Sequence, residues 1–383
     1  MKFNFGIGKE WTDLKKFEKL NDKQRSIVFY AENKASINHF KLLIKNITEE
    51  ENIQICYVSS VENDPIFSST NKNILTFYIG DKTARTKFFI GLKAKILIMD
   101  MPDINTYHIK RSKICPVHYI YIFHSMFSVH SYLRKNAIDN YDTIFCVGAH
   151  HEKEIRFIEK KYKLKEKILV KYGFGRLDEL LDEKQKFSQI TKDNDLVIIT
   201  PSYGENNLLN VCGIELIDIL LKTKFKVLLR PHFRTLKNSI ELINSIKKRF
   251  GNNPNFTFEE GVIPPEKFHN SVGLISDWSG ISLEYAFVFE RSVIFIDVPK
   301  KILNPDAEDI PLEPIEILIR NKIGNVISPD KLKEIPKIIK ESNQNDERKK
   351  EIKKIRSDTV YNVGKSAKIG AEVIEKLLKE GKD

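Results

Sequence analysis

Short runs of consecutive apolar residues alternate with amphipathic segments along most of this chain. The runs at 27–31, 53–58, 74–79, 94–100, 118–123, 141–147 and 168–172 are rich in Ile, Val, Phe and Tyr. Runs of this kind, apolar at successive positions, predict strands of a parallel sheet covered on both faces. Between them the apolar spacing predicts helices over 36–46, 129–137 and 152–162. Residues 1–25 are polar and read as an irregular or helical lead-in. A polar, Lys-rich stretch at 182–195 then breaks the pattern and predicts a linker. The alternation resumes with strands at 196–200, 227–229 and 256–258 and helices over 207–221 and 237–249. From Pro329 onward the chain is charged and largely helical in pattern.

At 383 residues the chain is too long for one ordinary core and suits two. The expected architecture is α/β: two doubly wound domains at 1–181 and 196–330, joined by 182–195 and followed by a helical basic segment at 331–383. Ligands of such sheets bind beyond the carboxyl ends of the strands. A cleft between the domains is therefore the expected site.

One stretch concentrates this logic. Val272 to Ile275 is apolar, Ser276-Asp277-Trp278-Ser279-Gly280 follows, and a helical segment carrying Glu284 comes next, before a further strand at 292–298. The pattern predicts strand, tight turn and helix start, with Ser and Gly supplying the cap. A helix tip presents backbone N–H groups and a positive dipole end, which suit an anion. Other strand ends carry chemistry too. Arg230-Pro231-His232-Phe233-Arg234 follows an apolar run, and its guanidinium groups can fork onto phosphate oxygens. His124 closes another strand and can take a proton from a hydroxyl near neutral pH. Pro201 and Ser202 end the strand that opens the second half, while Gly173-Phe174-Gly175-Arg176-Leu177-Asp178 follows the last strand of the first. Asp100 to Asp103 and His108 to Arg111 are further candidates to face an acceptor.

Composition narrows the chemistry. A formal net charge of +11 points to an anionic partner: a nucleotide, a polyanion or an anionic membrane surface. Residues 331–383 hold 15 Lys and Arg against 10 Asp and Glu, so part of that excess is local. The four cysteines have no metal-ligand spacing and read as buried thiols of a reducing compartment. No leader pattern and no span of 18 apolar residues is present, so a cytoplasmic protein is expected, with any membrane contact peripheral. Gly364-Lys365-Ser366 resembles the end of a phosphate loop, but position 359 is Thr where Gly is required. Basic residues are not interleaved with aromatics as a single-stranded nucleic-acid platform requires, and no nucleic-acid partner is expected.

Ser276 to Gly280 with Glu284 resembles the Thr/Ser-Asp-Tyr-Ser-Ser…Asp signature of the CDP-glycerol glycerophosphotransferases, which build teichoic acids and related capsules. Gly173 to Asp178 is similar to that family's Gly-Tyr-Pro-Arg-x-Asp, with Gly175 in place of Pro. Arg230-Pro231-His232 resembles its His-Pro element in reversed order. His124 stands where the family has His-Gly-Thr-Pro-x-Lys, although Ser125 to Ser128 depart from it. The resemblance spans roughly residues 95–300. It implies a GT-B fold, a CDP-linked donor, no required metal or other cofactor, and a glycopolymer or lipid-linked acceptor at the inner membrane face. His124 would be the base on the acceptor hydroxyl. His232, Arg230 and Arg234 would stabilise the donor pyrophosphate. Ser276, Asp277, Ser279 and Gly280 would line it, Glu284 would meet the ribose, and Gly175, Arg176, Pro201 and Ser202 would complete the donor side.

Two other readings fit the same patterns. A GT-B glycosyltransferase using a CMP- or UDP-sugar would keep the fold and break the bond at the anomeric carbon. A non-enzymatic binder of anionic lipid or nucleic acid would account for the charge and would need neither histidine. A UDP-sugar 2-epimerase is less favoured, because its catalytic acid set cannot be pointed to in the sequence.

Overall fold

The computed structural model describes residues 8–107, 109–187, 195–300, 304–342 and 346–380. They form two compact units. One contains the chain up to Asp178, then Asn304–Ile310, and then the chain from Val360. The other contains the described residues from Glu179 to Lys300 together with Pro311–Thr359.

The first unit is built on seven strands: β1 (Ile27–Ala31), β2 (Ile55–Ser59), β3 (Ile74–Tyr78), β4 (Ile96–Met99), β5 (His118–Ile122), β6 (Thr143–Cys146) and β7 (Ile168–Lys171). All pair in parallel, in the order β3-β2-β1-β4-β5-β6-β7. β1, β2, β4 and β6 are buried at every position, which is why they read as unbroken apolar runs rather than as alternation. Phe29, Ile98 and Ile120 lie in register across neighbouring strands. Their side chains join Phe40, Leu43 and Ile44 of the helix Ser36–Lys45 and Ile374 of the helix Ser366–Glu380 in one core.

The second unit has β8 (Leu196–Thr200), β9 (Lys226–Leu229), β10 (Phe256–Phe258), β11 (Gly273–Ser276), β12 (Val293–Ile296) and β13 (Gly324–Ile327). Their order is β10-β9-β8-β11-β12-β13, again all parallel. In both sheets the order reverses beside the first strand of the unit, between β1 and β4 and between β8 and β11. Each such reversal opens a crevice at the carboxyl edge, where ligands of doubly wound sheets bind.

Several elements differ from expectation for local reasons. The helix expected over 129–137 is only Val129–Tyr132. That expected over 207–221 starts as a wide π-type turn, Leu209–Gly213, before Ile214–Lys222. Ser239, with φ −128° and ψ 46°, separates Phe233–Asn238 from Ile240–Phe250 where one helix was expected. β13 was not anticipated. The expected linker 182–195 is helical as far as Lys186, in Gly175–Lys186, and residues 188–194 lie outside the described residues. The basic segment 331–383 is shared, with Ile335–Ser342 and Asp346–Thr359 in the second unit and Ser366–Glu380 in the first.

Cys56, Cys146 and Cys212 are buried free thiols and Cys115 is half-buried. Burial pushes Cys56 and Cys212 up to about 12, so neither is a thiolate near neutral pH. No described helix is long and apolar enough to cross a membrane.

Candidate functional site

In the second unit the carboxyl ends of β9, β8 and β11 lie side by side, with Ile199 opposite Leu229 and Ser276 opposite Thr200. That register brings Pro201, Ser202, Arg230, His232, Arg234, Ser276, Asp277, Ser279 and Gly280 to one sheet edge.

Asp277 organises this edge. Its side chain is buried, and Oδ1 accepts the backbone N–H groups of Ser202 (2.7 Å) and Trp278 (2.7 Å) while Oδ2 accepts that of Leu208 (2.9 Å). Burial raises the Asp277 pKa, and the hydrogen bonds from Leu208, Ser202 and Trp278 oppose the shift. Ser276 is also fully buried, and its hydroxyl donates to the Thr200 carbonyl at 2.7 Å. These two side chains are bound into the crevice, where they tie the end of β11 to the loop after β8. Their geometry is that of positioning groups. The half-buried part of the turn, Ser279 and Gly280, leads into the helix Ile281–Phe289. The capping differs from expectation, since Gly280 stands at the N-cap with helical φ and ψ and no side chain caps the helix. The Ser279 carbonyl instead accepts the Ser282 hydroxyl at 2.7 Å. Glu284 sits in the first turn of this helix, half-buried.

The loop held by Asp277 carries Tyr203, and Tyr203 gathers the cationic residues. Its ring lies 4.5 Å from that of His232, and the Arg234 guanidinium sits 4.6 Å above it. His232 caps Phe233–Asn238, with Nδ1 accepting the Arg234 backbone N–H at 3.1 Å. An Nδ1 that accepts must carry its lone pair, so the proton of neutral His232 resides on Nε2, a donor. Arg230 donates through Nε to the Gly261 carbonyl at 3.2 Å. Burial lowers its pKa against the opposing Glu259 carboxylate, yet a guanidinium stays charged at neutral pH.

Trp278, in the stretch singled out above, has a partner at this edge, Arg320, that the sequence does not signal. The Trp278 indole donates to the Val298 carbonyl at 3.0 Å, and the Arg320 guanidinium stacks 4.0 Å above its ring. Arg320 also pairs with Asp297 at 3.0 Å and donates to the Ile296 carbonyl. Nothing near Arg320 in sequence signals this, because its partners belong to the end of β12 and to the turn after β11.

In the first unit, His124 follows β5 at the same kind of edge. Its neighbours are His39, with ring centroids 6.0 Å apart, and Tyr132 at 5.5 Å. His39 lies in the first turn of the helix after β1, and Asp100 directly follows β4, so the two flank the reversal point of this sheet. Asp100 is buried and accepts from Ser36 Oγ at 3.0 Å, with His39 Nδ1 2.7 Å from its Oδ2. His124 is exposed to solvent but crowded by protein. That crowding lowers its pKa, His39 lowers it further, and Asp100 opposes both. The segment after His124 is pinned by the helix Ala149–Tyr162. His150 Nε2 meets the Met126 carbonyl at 3.0 Å and His151 Nε2 the Phe127 carbonyl at 2.9 Å, while the Glu154 carboxylate accepts the Val129 N–H at 2.6 Å. His108 lies outside the described residues.

Gly175 and Arg176 lie in the first unit. They start the helix Gly175–Lys186, where the Gly173 to Asp178 motif forms a junction with the chain's end. Gly173 has φ +105°, and a Cβ there would stand 2.3 Å from the Tyr361 carbonyl oxygen, so only glycine fits. Asp178 accepts the backbone N–H groups of Gly364 (2.6 Å) and Ser366 (3.0 Å). The Gly-Lys-Ser turn, reminiscent of a phosphate loop, thus holds a protein carboxylate at the tip of Ser366–Glu380.

No family model matches the chain, and no curated protein matches it. Solved structures do. A variant of the wall teichoic acid polymerase TagF, soaked with CDPG for 30 minutes, superposes with a TM-score of 0.61 at 13% identity, covering 98% of this chain and 95% of that one. The UDP-GlcNAc 2-epimerase of Methanocaldococcus jannaschii gives 0.57 at 14% identity, over 92% of this chain and 99% of that one. That of Neisseria meningitidis, bound to UDP-GlcNAc, gives 0.58 at 14%, with the same coverage. At such identities the likeness concerns the fold, and this chain has a GT-B-like α/β fold with parallel sheets of seven and six strands.

Proposed function

We propose that the chain is a transferase that moves glycerol phosphate, or a related polyol phosphate, from a CDP-linked donor to a cell-surface glycopolymer acceptor. The observation that carries this reading is the cationic cluster at the carboxyl edge of the second sheet. Arg230, His232 and Arg234 follow β9 at the same sheet edge where Ile281–Phe289, a helix with no side-chain cap, follows β11. Phosphoryl transfer asks the protein mainly to position the phosphates and to stabilise their charge. The guanidinium groups and the helix tip, with Ser279 and Gly280, supply that charge, and His232 Nε2–H donates to the oxygen that leaves with CMP. Glu284 takes the ribose hydroxyls. Ser276, Asp277, Pro201 and Ser202 hold the edge in shape.

The acceptor hydroxyl loses its proton to His124, whose depressed pKa keeps it neutral and able to accept near neutral pH. The acceptor oxygen then bonds to the phosphorus bearing glycerol, the P–O bond to CMP breaks, and its electron pair stays on CMP. Gly175 and Arg176 have a structural part in this scheme, at the junction Asp178 makes. The likeness to TagF lends support at the level of fold. The reaction is taken to run at an anionic membrane surface, with the basic residues of 331–383 as the contact.

A panel of donors, with released nucleotide identified chromatographically, tests the proposal. CMP from CDP-glycerol or CDP-ribitol, lost in His124→Ala and His232→Ala, is the expected result. UDP from a UDP-sugar or CMP from a CMP-sugar would replace it with glycosyl transfer, and epimerised UDP-GlcNAc with no nucleotide release would replace it with epimerisation.

A further inference from the structure

The first unit holds an arrangement that the assignment of His124 does not use. Asp100 is buried at the end of β4 and accepts from Ser36 Oγ, with His39 Nδ1 at 2.7 Å. The bond directs the Nδ1 proton of His39 into the carboxylate, which leaves Nε2 as the nitrogen able to take a proton. A second imidazole, His124, lies 6.0 Å from it. Tyr132 stands edge-on to His124, which also bonds the Asp100 backbone, and the hydroxyls of Tyr57, Tyr121 and Tyr141 feel the Asp100 charge. Glu32, after β1, feels that charge too and is paired with Arg85 at 3.4 Å.

We propose that His39 and Asp100 form a second acid–base element of this edge, and that His39 and His124 together hold one exchangeable proton. This rests on the transfer reading given above. When the acceptor oxygen attacks phosphorus, its proton enters the imidazole pair, the P–O bond to CMP breaks, and CMP keeps the electron pair. A positive charge on one imidazole disfavours a positive charge on the other. Asp100 sets which nitrogen of His39 is available and offsets the single positive charge. The lowering of the His124 pKa by His39 is the direction this coupling requires.

The test has two arms on the full chain. Histidine ring NMR of wild type and His39→Gln reads the coupling without any substrate. The titration midpoint of His124 is expected to rise in His39→Gln, and His39 is expected as the Nδ1–H tautomer. An unmoved midpoint, or an Nε2–H tautomer, overturns the proposal. The second arm is turnover with whichever donor is used. His39→Gln is expected to lower kcat at least about tenfold, with donor KM and melting temperature held. Full kcat and an unchanged pH profile in His39→Gln overturn it as well. If no donor is turned over, the transfer reading fails and the NMR arm still decides the dyad.

Discussion

Asp277 gives the sharpest quantitative prediction. Replacing it by Ala leaves the N–H groups of Ser202, Leu208 and Trp278 facing a space that no other acceptor fills. Each orphaned buried donor costs about 1–3 kcal/mol, so the gross loss is about 3–9 kcal/mol. Part is returned, because burial already disfavours the ionised carboxylate. We therefore expect a net loss of about 3–5 kcal/mol for Asp277→Ala. Asp277→Asn separates acceptor geometry from charge. An amide oxygen in the place of Oδ1 keeps the bonds from Ser202 and Trp278, while the NH2 group meets the Leu208 N–H. That single clash should cost about 1–3 kcal/mol, less than the Ala variant. The chain has two tryptophans, Trp11 and Trp278, so urea unfolding followed by fluorescence in a Trp11→Phe background reports the environment next to Asp277. A transition within about 0.5 kcal/mol of the parent for Asp277→Ala, a change typical of plain surface sites, would refute the reasoning. An Asn variant as damaged as the Ala variant would show that charge, and not hydrogen-bond acceptance, holds the loop. Since that loop carries Tyr203, against which His232 and Arg234 pack, donor KM should rise along with the loss of stability.

Two further outcomes follow from the first unit. Asp178→Ala should release the tip of Ser366–Glu380 and cost about 2–4 kcal/mol, seen as faster amide exchange across that helix; unchanged protection would contradict the junction. His151 accepts the Val147 N–H at Nδ1, and burial followed by the His150 charge holds its pKa well below the ordinary value. The unfolded chain then binds the proton more tightly, so stability is full above about pH 6.5 and falls with acidification at about 1.4 kcal/mol per pH unit toward the folded value. Thermal melts between pH 7.5 and 5.5 should show this slope reduced in His151→Gln, and equal slopes would count against it.

Most strands were legible in the sequence because parallel strands buried on both faces are runs of Ile, Val, Phe and Tyr. β13 was missed because it is a four-residue strand that begins at Gly324, where a Cβ would stand 2.1 Å from the Val293 carbonyl oxygen. Its identity depends on β12, far along the chain. Strand-end residues such as Arg230 and His232 could be picked out, since the carboxyl-edge rule needs only the strand order. His39 could not. It reads as one polar position of an ordinary helix, and its partner Asp100 is 61 residues away. Asp178 likewise meets Ser366 across 188 residues, so the junction it makes with the returning chain is not legible in its motif. Local chemistry is visible in sequence when a strand end exposes it, and invisible when the pair is made by topology.

The measurement that tests the central claim most directly is CMP release from CDP-glycerol by the wild-type chain and by His232→Gln. The account predicts CMP from wild type and a rate on the order of a hundredfold lower in the variant, whose fold is retained because the cap is a single hydrogen bond. No CMP from any CDP-polyol, or equal rates in the two proteins, would contradict it.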